Sequence, residues 1–175
     1  IIIYGTARMG FSDYDYHNGT RSKGETRDEK AGQAIGAALE YAARSNKKLM
    51  IYVFSDGSLV NDNGAADNSA EGRGKLVWNG DNSTVSASFF LVYDPAARPV
   101  LRSPSVQQLG YFNPDGFLEK SASPISNNVK ALAESVVLNY MALHGEEANF
   151  ASVLPTHSLG APAELSKLVA FNPIA

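Results

Sequence analysis

The sequence predicts an α/β domain with a mostly parallel sheet flanked by helices, and three observations predict it. Short, wholly apolar runs recur at 1–4, at Leu49–Phe54 and within "VSASFFLVY" (85–93). Runs without polar alternation mark strands covered on both faces. Helical periodicity occupies residues 28–45 and 126–144, and strands alternating with helices favour parallel pairing through crossover connections.

Taken in order, "IIIY" with Gly5 behind it reads as the first buried strand. Residues 8–27 are rich in Gly, Asp, Asn, Ser and Thr and have no period, so a long loop is expected. Thr26 or Asp28 caps the first helix, where Ala31, Ala34, Ile35, Ala38, Leu39 and Ala42 form one apolar face at i, i+3, i+4 spacing. Its small residues, Gly32 and Gly36 among them, suit close packing on a sheet. Leu49–Phe54 supplies the second strand. Residues 56–83 are nearly all turn formers and predict a long loop of the functional or mobile kind. Within it, "NDNGAADNSAE" has the composition of a calcium loop without the required spacing, and Trp78 reads as a packing anchor. The third strand closes at Asp94-Pro95. An irregular stretch follows to 124, with a short strand at 100–102. The second helix sets Val129, Leu132, Ala133, Val136, Val137, Tyr140 and Met141 on one face, with Gly145 as its C′ residue. His144, in its last turn, suits the helix dipole. A helical patch at 163–169 sits in a Pro-rich tail. The reading is one domain over 1–175, with 146–175 as its irregular tail.

Composition bounds the function. At 175 residues and 44% hydrophobic content the chain can bury a real core. A net charge of −3 gives no electrostatic reason to expect nucleic acid as a partner. No apolar run approaches the ~20 residues of a membrane-spanning helix. Without cysteine there is no disulfide, thiol chemistry or Cys-ligated zinc. Neither a G-x-x-x-x-G-K-[ST] phosphate loop nor a G-x-S-x-G elbow is present. The opening "IIIYGTA" has no Met and no signal-peptide pattern, and suggests a processed product or a fragment.

The candidate chemistry lies in "MGFSDYDYHNGTR" (9–21) and "LMIYVFSDGS" (49–58). Asp15 and His17 are two apart and Asp13 and His17 four apart, and carboxylate with imidazole is a common ligand set for zinc, manganese or iron. In α/β sheets ligands bind outside the carboxyl ends of strands. The Asp15/His17 loop and Asp56 both follow predicted strands, so they are expected to meet at one edge. Asp56 would then add a ligand or orient the histidine. The same residues also suit plain turns, with Asp13 and Asp15 in Asx-turns and Asp56-Gly57 ending a strand. His157, in "LPTHSLG", lies between turn formers and is open to either role.

The order "GFSDYDYHNGTR", helix, "LMIYVFSDGS", Gly/Asn-rich loop with Trp78 resembles the carboxyl-terminal half of an uncharacterised, often exported bacterial family. Some of its members are labelled general-secretion-pathway proteins, and it is related to the alkaline phosphatase and sulfatase superfamily. The resemblance covers roughly residues 1–145. It implies an alkaline-phosphatase-like fold, an incomplete or processed chain, and an exported, periplasmic or cell-surface location. It also implies one metal held by Asp13 or Asp15, His17 and His157. The superfamily's second metal uses an Asp-His pair at a strand end, where this chain has Asp56-Gly57, and its nucleophile segment would precede residue 1.

The function implied is therefore a non-catalytic structural or assembly role with a degenerate metal site. One divalent ion (Zn²⁺, Mn²⁺ or Mg²⁺) is the only cofactor expected. Its partner would be the amino-terminal portion of the same protein or an envelope assembly. The alternative is a metal-dependent phosphate or sulfate ester hydrolase. A further resemblance, carried by a small-residue helix, an apolar strand and Ser-Asp-Gly, is to von Willebrand factor A-type domains, and implies a Mg²⁺-dependent adhesion module. Those domains open on D-x-S-x-S, which "SDYDYH" does not supply.

Overall fold

The computed structural model describes residues 21–54, 60–70, 74–79, 88–104, 109, 124–125 and 128–174. The predicted strand at 1–4 and most of the loop at 8–27 lie outside them. Helix α1 (Arg21–Arg44) begins before Thr26 and Asp28, which fall inside it. The reason is local: "ETRDEKAGQ" is dominated by good helix formers. The predicted face holds, since Ala31, Ala34, Ile35, Ala38 and Leu39 are half-buried and Ala42 is buried. Glu29 pairs with Gln33 and Glu40 with Arg44 along the solvent side. The helix ends on Asn46 in the left-handed region (φ 53°), with Asn46 N–H donating to the Ala43 carbonyl and Lys47 N–H to that of Ala42. Those two bonds satisfy carbonyls that a helix end leaves open.

The expected parallel sheet is corrected here. Strand β1 (Leu49–Phe54) pairs antiparallel with β4 (Ser88–Tyr93), Leu49 facing Tyr93 and Phe54 facing Ser88. Between them in sequence, β2 (Val60–Asp67) and β3 (Lys75–Asn79) form a second antiparallel ribbon, bulged between Asn61 and Ala66. Each sheet has two strands, and no parallel pair occurs among the described residues, so the architecture is not alkaline-phosphatase-like. The physical reason lies in the connection. Parallel neighbours need a crossover element, usually a helix, to carry the chain back. The segment between β1 and β4 holds a hairpin instead, in a stretch whose Asn, Asp and Gly content predicted loop.

The core sits in the carboxyl-terminal third. Helix α2 (Val129–Leu143) is opened by Asn128, whose side chain accepts from Ala131 N–H at 3.0 Å. It closes as expected on Gly145, at φ +70°: Gly145 N–H donates to Ala142 and Glu146 N–H to Met141. The buried face differs from the one predicted. Ala131, Glu134, Ser135, Leu138, Asn139, Met141, Ala142 and Leu143 are buried, while Val129, Val137 and Tyr140 are exposed. Because α2 is apolar nearly all round, periodicity did not select a face. Glu134 and Asn139 did, by bonding to the tail.

That tail is half of the core rather than an appendage. Phe150 in α3 (Phe150–Val153), Leu159, Leu165 in α4 (Pro162–Leu165), Leu168 and Val169 pack with Ile125, Ala131, Leu138, Met141 and Ala142. Asn139 fastens them: its amide donates to the carbonyls of Ser135 and Leu168, and its oxygen accepts from Ala170 N–H, each at 2.8 Å. Beyond Ala170 the chain meets residues 100–102, with Arg102 N–H on Ala170, Leu101 bridged to Phe171, and Asn172 N–H on Val100. Phe90 of β4 meets Phe171 edge-on at 6.0 Å, and the Lys48 ammonium donates to the Ile174 carbonyl. The carboxyl end thus ties the β1–β4 ribbon to the helical core.

Candidate functional site

Asp13, Asp15, His17 and Asp56, the residues predicted to gather around a metal, lie outside the described residues. His157 is described, in the turn between α3 and α4. Its ring packs on the buried Phe150 with centroids 5.0 Å apart. Its Nδ1 accepts from Leu159 N–H at 3.3 Å, which places the proton of the neutral ring on Nε2. Metal ligation through Nε2 would require that proton to move to Nδ1 and this bond to break. Two further bonds hold the turn: Glu134 accepts from Ser158 N–H at 2.7 Å, and Lys130, 3.4 Å from the same carboxylate, donates to the Thr156 carbonyl. His157 therefore packs and orders a turn. No group of three metal-ligating side chains occurs among the described residues.

His144 sits at the end of α2, and its exposed ring meets Tyr140 edge-on at 4.9 Å. Arg102 and Glu147 form a half-buried ion pair at 2.7 Å. The bond from Arg102 holds the Glu147 carboxyl below its ordinary range against the opposing effect of burial. The pair joins the segment after β4 to the turn after α2 and has a structural use.

Surface chemistry is more telling. Alternation along paired strands puts Met50, Tyr52 and Phe54 on one ribbon face with Val92, Phe90 and Ser88 opposite them. Leu49, Ile51 and Val53 lie on the other face, opposite Tyr93, Leu91 and Phe89. Both faces are apolar, as the unbroken runs predicted, yet no residue of either strand is fully buried. Phe54 is 67% exposed, Phe89 50%, and Leu91 is exposed as well. Tyr52 and Phe54 stack on each other at 5.3 Å. On α2, Val129, Val137 and Tyr140 follow one exposed stripe at 129, 137 and 140, with His144 at its end. Single exposed apolar residues are ordinary on a protein surface, whereas clusters of aromatic and branched side chains mark contact sites.

These exposed residues were not among the sequence-predicted site residues. The signal is present in the two-sided apolarity of 49–54 and 88–93, a pattern that in sequence alone indicates interior sheet. No helix among the described residues is long and apolar enough to cross a membrane. No protein-family model, curated protein or solved structure matches the chain.

Proposed function

We infer that this chain serves a non-catalytic, structural role as an assembly domain that binds a protein partner through the β1–β4 ribbon. The observation that carries the reading is the ribbon itself, apolar on both faces, with Phe54 and Phe89 at least half exposed. A two-stranded sheet is marginal alone, and an added strand or a packed helix supplies the missing burial. An exported or envelope setting is what the resemblance in motif order implies. His157 supports the non-catalytic side, because its ring is committed to Phe150 and to Leu159 N–H.

The test has two arms. A photo-crosslinking residue at Phe89, compared with one at the exposed Glu29 of α1, should give a discrete protein adduct in cells at Phe89 alone. Adducts at both positions, or at neither, refute the assembly surface. In the second arm, aryl phosphate and aryl sulfate are offered with Zn²⁺, Mn²⁺ or Mg²⁺ to the native chain and to His17→Ala. No turnover by either is expected. Metal-dependent turnover lost in the variant would replace this reading with that of a hydrolase.

A further inference from the structure

We draw no further inference here: the strongest candidate, the surface patch formed by Val129, Val137 and Tyr140 on the exposed side of α2, carries nothing, because nothing in the structure shows what covers it.

Discussion

Replacing Asn139 tests the view that α2 and the tail form one core held by a polar bolt. The side chain is 2% exposed and makes three bonds, to the Ser135 and Leu168 carbonyls and from Ala170 N–H. Asn139→Leu keeps the branched heavy-atom outline of the side chain, though larger, and removes all three. The Ser135 carbonyl retains its place in the helical ladder, so it is not orphaned. Leu168 and Ala170 are almost wholly buried, and neither the Leu168 carbonyl nor the Ala170 N–H gains a replacement. Each unsatisfied buried group costs about 1–3 kcal/mol, so the variant should lose about 2–6 kcal/mol. At about 2 kcal/mol per molar urea, the unfolding midpoint falls by about 1–3 M. Asn139→Ala should be at least as damaging, because a cavity is added. Ser135→Ala is the control, since among the described residues that hydroxyl bonds only the Leu132 carbonyl of its own helix, and its cost should stay below about 1 kcal/mol. If Asn139→Leu unfolds within about 0.5 kcal/mol of the native chain, the bolt does not hold the tail and the reasoning fails.

Further outcomes can be measured in the same way. Phe150→Ala empties the centre of the core, where the native side chain is fully buried, and should cost about 3–5 kcal/mol in urea unfolding. Gly145→Ala places a Cβ at φ +70° and should cost about 1–2 kcal/mol, Gly145→Asn less, because the strain is in the backbone and Asn tolerates it. Glu147 titrates lower in the folded chain than unfolded because Arg102 bonds its carboxylate. Its contribution is therefore present above the ordinary glutamate range and is lost as pH falls through the lowered value. Glu147→Gln should accordingly destabilise at pH 7 by under about 1 kcal/mol, the pair being partly exposed, and the gap from the native chain should narrow at about pH 3. A gap that widens toward acid would refute the pairing.

The sequence by itself determined what local forces determine. Small residues at helical spacing fixed α1 and its half-buried face from Ala31 to Ala42. Unbroken apolar runs located β1 and β4, and Gly145 marked the end of α2, since only a residue tolerant of positive φ closes a helix that way. Strand direction and helix orientation were decided elsewhere. Antiparallel pairing of β1 with β4 depends on the intervening chain folding as a hairpin, and nothing in an Asn/Asp/Gly-rich stretch separates ladder from loop until the strands have partners. The buried side of α2 was chosen by Glu134 and Asn139, polar residues that look like solvent positions until the tail supplies a backbone for them to bond. For the same reason His157 read as a possible ligand in sequence, yet the tertiary structure sets its ring on Phe150 and its Nδ1 on Leu159 N–H. Hydrogen bonds between segments distant in sequence have no period, so they become legible only when the chain has brought them together.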